Sequence, residues 1–322
     1  MRKARALPPE LAGGPFLVSD ATRYGVTPGR LRSSDLVRPH HGVRSAGDRT
    51  DDVIGWCRDY AVLMAPSHAF SHATAGLLYR MPLPSPEQRR VLHVTVPPGS
   101  QPPRGRGVIG HEDRCLESRM RVAGFLVCAP ADTWCQLAAT LRFEDLVAVG
   151  DYLISGMRTD VGREPPLTTL SELTAAVSRR AGGRGVRHMR MALPLLRTRV
   201  DSRPETLTRL LLVASGLPEP LIGDPTLVDG GAYTLHPDLK YVKWRVVFEY
   251  EGDGHRTDPR RFRADITRLE RFEAAGWHVI RVTADDLFLH PAAFIARVRA
   301  ILLDRERYLS SNPHNLSSNP AQ

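Results

Sequence analysis

The strongest constraint on this chain is a strand-like run over residues 244–252, WRVVFEYEG, in which apolar and acidic side chains alternate. Successive side chains of a β-strand point to opposite faces of a sheet, so Glu249 and Glu251 share one face while Val246 and Phe248 share the other. The run therefore predicts a strand with one face in a core and two carboxylates on the opposite face.

A second run, over residues 233–241, precedes this strand and carries Asp238. The gap around Val242 and Lys243 has the length of a turn, so the two runs are predicted to pair as a hairpin that brings Asp238 toward the glutamates. Carboxylates held together repel one another unless some are protonated or a cation lies between them, and Mg²⁺ prefers such oxygen ligands. The hairpin therefore indicates a metal site, with acids on a solvated strand face as the alternative.

Helical and strand patterns flank the hairpin. Ser202 and Glu205 occupy capping-box positions before an apolar run, which predicts the start of a helix. Gly276 ends a later helix whose apolar residues recur at helical spacing. The predicted elements are a helix over 202–213, a short strand over 220–227, the hairpin, a helix over 259–275, a strand over 277–283 and a helix over 291–303.

This element order and these residues resemble the PD-(D/E)XK nuclease superfamily, in the branch similar to very-short-patch mismatch repair endonucleases. The resemblance covers about residues 202–303 and implies a restriction-endonuclease-like α-β-β-β-α-β core. It also implies hydrolysis of phosphodiester bonds in DNA with Mg²⁺ or Mn²⁺ as the cofactor. The matching positions are Pro237-Asp238, Glu249, Glu251, Gly252 and His255.

The resemblance implies a role for several of these residues. Asp238 and Glu249 would bind the metal, with the backbone carbonyl of Tyr250 as a third ligand. His255 would transfer a proton or contact a phosphate. Glu205 is similar in position to an acid that many members carry on the first helix, and capping of that helix is the favoured interpretation.

Glu251 departs from the pattern, because the superfamily often has Lys at this position, and an acid cannot neutralise a phosphate as a cation would. Lys240, Lys243 and Arg268 are candidate sources of the missing charge, with solvated surface positions as the alternative. Asp265 is a further accessory candidate.

Two functions therefore remain in competition. The chain is expected to be either an endonuclease of DNA repair or defence, or a DNA-binding regulator whose nuclease fold has lost activity. Glu251 counts among the catalytic candidates of the first hypothesis and is the main argument for the second. An RNA substrate also stays open. A cognate toxin or a repair protein is a candidate partner of either.

The first fifty residues predict a small DNA-binding module. Residues 26–45, VTPGRLRSSDLVRPHHGVRS, resemble the N-terminal winged helix-turn-helix of AbiEi-like antitoxins, with Arg30 and Arg32 as candidate DNA contacts. The predicted elements are a short helix from Ser19-Asp20, a turn at Gly25-Val26, a second helix from Thr27-Pro28 through Arg32, and a hairpin over 36–44.

The charge of the chain favours a nucleic-acid partner. Lys and Arg number 44 against 35 Asp and Glu, a net charge of +9. Residues 179–199 contain seven arginines and no acid, which indicates a surface for the phosphate backbone. Arg184, Arg187 and Arg190 are the candidate contacts, and an ordinary solvated helix is the alternative.

These observations predict an α/β chain, α+β overall, in five consecutive segments. They are a winged helix-turn-helix over 1–50, a mixed α/β middle domain over 51–160, an Arg-rich helical linker over 161–200, the nuclease-like domain over 201–304 and a disordered polar tail over 305–322 that repeats LSSNP.

The remaining signals are weak. Ser71-His72 in the middle domain lacks the elbow and the acid partner of a hydrolase, so His72 is interpreted as a helix N-terminal or core residue. The four cysteines show neither C-x-x-C pairing nor a His at zinc spacing, and are expected to be reduced. No targeting segment or membrane-spanning run is evident, so a cytoplasmic protein is expected.

Overall fold

The protein is described by a computed structural model that covers residues 5–46, 50–88, 90–159, 161–252 and 259–312, with the backbone alone at Pro86 and 259–265. Across these residues the chain is a mixed α/β protein, as the sequence predicts. None of the helices described there combines the length and the apolar character that crossing a membrane requires.

The secondary structure alternates short strands with helices along the chain. The helices are α1 (Pro9–Ala12), α2 (Val18–Arg23), α3 (Val53–Ala61), α4 (His72–Leu78), α5 (Pro130–Leu137), α6 (Phe143–Ser155), α7 (Leu170–Arg179), α8 (Val186–Ala192), α9 (Arg203–Ala214), α10 (Pro259–Ala274), α11 (Ala284–Phe288) and α12 (Pro291–Ser311). The strands are β1 (Pro15–Leu17), β2 (Val43–Ser45), β3 (Ala69–Phe70), β4 (Leu92–Val96), β5 (Arg104–Gly105), β6 (Val108–Glu112), β7 (Arg119–Val122), β8 (Phe125–Cys128), β9 (Arg158–Thr159), β10 (Gly162–Arg163), β11 (Leu221–Ile222), β12 (Thr226–Val228), β13 (Tyr233–Leu235), β14 (Leu239–Tyr241), β15 (Val246–Tyr250) and β16 (His278–Val282).

The chain divides into two compact units, each formed by two stretches of sequence. The N-terminal unit comprises Met1–Arg142 and Thr168–Leu193, and the C-terminal unit comprises Phe143–Leu167 and Pro194–Gln322. This division differs from the five consecutive segments predicted. Part of the predicted middle domain belongs to the C-terminal unit, and most of the predicted linker belongs to the N-terminal unit.

A buried charge on α6 explains this interleaving. The Asp151 carboxylate of α6 is fully buried and accepts hydrogen bonds from Arg209 Nη2 (2.9 Å) and Thr206 Oγ1 (2.8 Å), both on α9. Separating a buried carboxylate from its partners is strongly destabilising, so α6 has to fold together with α9. The sequence between residues 143 and 167 therefore belongs to the same unit as α9.

The N-terminal unit is built on a six-stranded sheet with strand order β5-β6-β4-β3-β8-β7. Strand β4 is parallel to β6 and antiparallel to β3, and α4 packs against β4 and α5. Phe70, Val94 and Val127 lie in the interior of this sheet and are almost inaccessible to solvent.

The predicted winged helix-turn-helix is only partly realised. The prediction of a second helix was wrong, because the chain forms one 3-10 turn at Arg30–Arg32. Arg44 Nε donates to the Leu31 carbonyl (2.8 Å). In a longer helix this carbonyl would accept a hydrogen bond from the helix backbone. Strand β2 pairs mainly with β1, and one bridge between Val37 and Ser45 represents the predicted hairpin.

The C-terminal unit contains a four-stranded sheet with the order β11-β14-β15-β16. Strands β14 and β15 form the predicted antiparallel hairpin, and β16 is parallel to β15. The alternation read from the sequence is confirmed: Val246 and Phe248 pack in one core cluster with Phe294 of α12, whereas Val247 packs in another with Phe272 of α10. The sheet therefore has an apolar layer on each face.

The predicted disordered tail begins later than expected. Helix α12 continues to Ser311, so residues 305–311 are helical, and residues 313–322 lie outside the described residues. Leu309 is buried, and Arg305 donates from Nε to the Trp244 carbonyl (3.0 Å) and from Nη2 to the Gly276 carbonyl (2.8 Å). These contacts stabilise residues 305–311 as a helix, although their polar composition predicts disorder.

Candidate active site

Three acidic side chains of the C-terminal unit come from neighbouring elements. Glu205 lies in the first turn of α9, Asp238 directly precedes β14, and Glu249 lies near the end of β15. The hairpin register pairs Leu239 with Phe248, which places Asp238 opposite Glu249. The tight turn between the two strands therefore determines which acids meet.

The Asp238 carboxylate is held by the neighbouring strand. Its Oδ2 accepts a hydrogen bond from the backbone N–H of Tyr250 at 2.8 Å. The predicted role of Tyr250 was to offer its carbonyl to a metal, and the structure adds a role for its amide. A charge-assisted bond of this kind fixes the orientation of the carboxylate at the end of the hairpin.

Glu249 is the most constrained of the three acids. Its side chain is buried, and Oε2 pairs with a guanidinium nitrogen of Arg268 on α10. A second nitrogen of Arg268 donates to the His236 carbonyl, so this arginine links α10 to the segment just before β14. Glu249 Oε1 is buried and has no hydrogen-bond partner among the residues that the structure describes.

Burial raises the pKa of all three carboxyl groups, and the charge of Asp238 adds to the shift at Glu249 and Glu205. The pKa of Glu249 rises from 4.5 to about 8, chiefly through burial and then through Asp238, and Arg268 offsets only part of the shift. Burial raises the pKa of Asp238. Burial followed by Asp238 raises the pKa of Glu205 well above its ordinary range. Neighbouring carboxyl groups whose pKa is raised in this way are typical of sites that receive a cation.

Glu205 lies in the first turn of α9, which Ser202 caps, and also belongs to the acidic cluster. Its backbone N–H donates to Ser202 Oγ (3.4 Å), and its Oε2 accepts from the Asp201 N–H (3.0 Å). Its side chain is nevertheless buried and senses the charge of Asp238. The two interpretations of this residue are therefore compatible.

The donor set suits Mg²⁺ or Mn²⁺, because carboxylate oxygens are the ligands that hard cations prefer. The partnerless Glu249 Oε1 is an acceptor that a cation would satisfy, and Asp238 lies opposite it. The acids do not converge as a closed cage. Among the described residues, three histidines of the N-terminal unit bring ligand atoms within 4.8 Å of one another, and these acids do not. Asp238 and Glu249 could therefore hold an ion that keeps most of its water.

The other predicted catalytic and accessory residues are placed differently. The Glu251 carboxylate lies beyond β15, largely exposed, and pairs with Arg281 Nε at 3.1 Å. His255 lies outside the described residues, and so does the side chain of Asp265. The positive charge beside Glu249 comes from Arg268.

Lys240 corrects the expectation of a solvated surface lysine. It is buried, and its Nζ donates to Thr226 Oγ1 (3.1 Å) and the Pro225 carbonyl (3.0 Å) while pairing with Asp224 at 2.5 Å. Lys243 does lie at the surface, where it pairs with Glu306 at 2.8 Å. Lys240 is thus committed to holding β14 against the loop before β12.

An arginine-lined cavity adjoins the acidic cluster. The cavity has a volume of about 360 Å³ and is lined by Arg158, Arg163 and Arg199, together with Asp201 and His236. Arg158 and Arg163 both pair with the Asp201 carboxylate, whose backbone N–H binds Glu205. Guanidinium groups near buried carboxylates suit a polyanion such as a nucleic-acid backbone.

The predicted arginine contacts of the N-terminal unit differ in availability. Arg30 binds Asp35 through both terminal nitrogens (2.9 and 2.7 Å) and the Arg5 carbonyl through Nε (2.6 Å), so its charge is largely occupied. Arg32 is exposed. Within the described part of the chain, the remaining three are exposed and have no ion-pair partner: Arg184, Arg187 and Arg190.

A wide groove of about 1350 Å³ crosses the N-terminal unit. No acidic side chain lines it among the described residues, and aromatic rings lie beside its positive charges. Arg90, for example, lies 5.9 Å from the ring of Trp56. A basic groove with the half-buried ring of Trp56 in its wall is suited to a nucleic-acid strand. The relevant lining residues are Arg38, His40, His41, Arg44, Trp56, Tyr60, Arg90, Arg104 and Arg106.

Comparison with known proteins finds relatives but no activity. No family model matches the chain. Two proteins of Mycobacterium tuberculosis, from strains CDC 1551 and H37Rv, are each 28% identical to it over 278 residues. The alignment covers 86% of this chain and 96% of each relative, and both relatives are named only as uncharacterized proteins. The likeness extends through both units.

Sequence reasoning missed the arginines of the cavity and the histidine cluster. Arg158 and Arg163 are about forty residues from Asp201 in sequence, and only the packing of α6 on α9 brings their segment to the site. His93 and His111 lie on separate strands, without motif spacing. A pattern within one element could not have identified either group.

Proposed function

We propose that the protein is a metal-dependent nuclease that hydrolyses phosphodiester bonds in DNA. The observation that carries the proposal is the Glu249 carboxylate, buried with one oxygen partnerless and opposite Asp238. Burial keeps the pKa of Glu249 raised even beside Arg268, and such perturbed carboxyl groups cluster at catalytic sites. The resemblance implies an α-β-β-β-α-β core, and the succession of α9, β11, β14, β15, α10 and β16, with the β12–β13 pair inserted, supports the proposal.

In this proposal each residue has a distinct task. Asp238 and Glu249 hold the cation, the Tyr250 amide orients Asp238, and Glu205 adjusts the charge of the acidic cluster. Arg268 supplies the positive charge that a lysine often supplies in the superfamily, and would stabilise the charge developing on the phosphate. When bound, Mg²⁺ would supply a water of lowered pKa and neutralise phosphate charge.

The arginines of the cavity would hold the backbone next to the cleaved bond. Arg158, Arg163 and Arg199 carry planar donors of the kind that bind phosphate oxygens, and a phosphate would compete with Asp201 for Arg158 and Arg163. The basic groove of the N-terminal unit would give a second contact with the nucleic acid. The groove belongs to the N-terminal unit and the acids to the C-terminal unit. Variants of the groove should therefore change DNA binding while leaving cleavage measurable.

The decisive experiment is cleavage of supercoiled plasmid and of mismatched duplex with Mg²⁺ or Mn²⁺. Wild type should nick DNA only with metal, and Glu249→Gln should lower the rate by about 100-fold or more. Glu270→Gln is the matched control, because Glu270 is an exposed acid on the same helix as Arg268. Equal rates in wild type and Glu249→Gln would refute the proposal.

A second candidate, a DNA-binding regulator with a degenerate nuclease fold, is favoured by one observation. Arg268 already neutralises Glu249, as an internal cation would in a site that no longer binds metal. The same assays distinguish the two functions. The regulator is favoured if the wild type binds DNA in a salt-sensitive way and does not cleave it with either metal.

A further inference from the structure

Three histidines of the N-terminal unit meet away from the acidic cluster. His72 begins α4, His93 lies in β4 and His111 lies in β6. Their rings stack, with centroids 3.7 Å apart for His72 and His111 and 5.2 Å apart for His93 and His111. His93 Nδ1 lies 3.0 Å from His111 Nε2, and one nitrogen from each ring lies within 4.8 Å of the others.

The sheet positions two of these rings. Strands β4 and β6 are parallel, and their register pairs Thr95 with His111. Since alternate residues share a face, His93 lies on the same side of the sheet as Thr95 and therefore as His111. The two imidazoles are thus carried by adjacent rigid strands, which is the support that a metal site requires.

The third histidine is held through its backbone by a polar network. The backbone N–H of His72 donates to Gln136 Oε1 (3.1 Å), and Gln136 Nε2 donates to Asp113 Oδ2 (2.9 Å). Arg180 binds Asp113 through two nitrogens, at 3.0 and 2.8 Å, and also pairs with Asp132. The carboxylates of Asp113 and Asp132 therefore balance the positive charge of Arg180, so Arg180 does not repel a cation at the histidines.

His72 adopts a backbone conformation that residues with a β-carbon seldom adopt. Its φ is +48°, in the left-handed region. The strain persists because the Gln136 contact and the start of α4 hold the residue in place. Such strained positions cluster where a side chain must point in one required direction. In His72 the result is an imidazole stacked on His111.

We propose that His72, His93 and His111 form a binding site for a transition-metal ion of the zinc class. Imidazole nitrogen suits Zn²⁺ and its neighbours Co²⁺, Ni²⁺ and Cu²⁺, and not Mg²⁺, which prefers oxygen. Three protein ligands leave the fourth tetrahedral position of Zn²⁺ to water or to a ligand, the arrangement of reactive zinc sites. The rings are half-buried, so solvent reaches the site. This site is independent of the nuclease proposal.

The test uses the full chain without an added histidine tag. Zn²⁺ affinity is measured by competition with a chromogenic chelator, and Co²⁺ substitution is followed by visible absorption. We expect one ion per chain and a four-coordinate Co²⁺ spectrum. His93→Ala and His111→Ala should each weaken Zn²⁺ binding by about 100-fold or more. His290→Ala is the control, because His290 is an exposed histidine at the start of α12.

X-ray absorption of the Zn²⁺-loaded wild type removes the dependence on variants that fold poorly. Three imidazole nitrogens around the ion are expected, and fewer than three would overturn the proposal. Absence of stoichiometric Zn²⁺ binding, or equal affinity in wild type and His111→Ala, would overturn it as well. Asp238→Asn should leave Zn²⁺ affinity unchanged, so failure of this site and failure of the nuclease proposal remain distinguishable.

Discussion

Replacing Glu249 by Gln should remove a loss of folding stability that the wild type undergoes as the pH rises to about 8. Burial and Asp238 raise the pKa of Glu249 from 4.5 to about 8 despite the attraction of Arg268. A carboxyl group whose pKa is higher in the folded than in the unfolded state contributes stability that is complete below its unfolded pKa. That stability is lost as the pH rises through the folded pKa. Glutamine does not ionise, so the variant avoids this loss.

The magnitude follows from the size of the shift. Each pKa unit corresponds to about 1.4 kcal/mol. From about pH 5 to about pH 8, the ionisation of Glu249 should lower the free energy of unfolding of the metal-free wild type by on the order of 3 kcal/mol. Arg268 loses its partner in the variant, but its side chain is 31% exposed and water compensates much of that loss.

Urea unfolding at both pH values, in the presence of a chelator, measures the effect. Hydrogen exchange at β15 and β16 assigns it to the C-terminal unit, since the two units can unfold separately. Glu270→Gln should follow the wild type. Addition of Mg²⁺ at about pH 8 should stabilise wild type and not Glu249→Gln. The reasoning is refuted if wild type and Glu249→Gln show the same dependence on pH.

Three further outcomes are expected. Asp238→Asn should abolish Mg²⁺-dependent cleavage of plasmid DNA while leaving DNA affinity in a gel-shift assay within about twofold, because the arginines that would hold phosphates are unchanged. Replacing Arg184, Arg187 and Arg190 together by Ala should weaken DNA binding and reduce the slope of log affinity against log salt by up to about 3, and an unchanged slope would reject that surface. Leu309→Ala should lower the free energy of unfolding by about 2 to 4 kcal/mol, whereas a disordered tail would give no change.

Much of the C-terminal fold could be predicted because its signals are local. Ser202 caps α9 as its position indicates, and side chains of the Val246–Tyr250 strand alternate between its two faces as predicted. The Asp238–Glu249 pairing follows from a hairpin with a short turn. Each of these features depends on residues adjacent in sequence or separated by one turn, where periodicity and capping are informative.

Other features were mispredicted because distant contacts decided them. The polar composition after residue 304 favoured disorder, but Leu309 is buried and Arg305 donates to the Trp244 carbonyl. The 3-10 turn at Arg30–Arg32 is not extended into a helix, and Arg44 donates to the Leu31 carbonyl within it. Lys240 was expected at the surface and is instead buried beside Asp224. Intrinsic propensity is a weak prior when tertiary contacts compete with it.

The sequence by itself determined the strand with alternating acids, the hairpin partner of that strand and the excess of positive charge. Only the tertiary structure decided that Arg268 faces Glu249, that α6 brings Arg158 and Arg163 to the site, and that His93 and His111 stack. Local patterns fix which face of an element a side chain occupies. Which faces meet depends on the packing of elements far apart in the chain, and this packing also sets the burial that shifts a pKa.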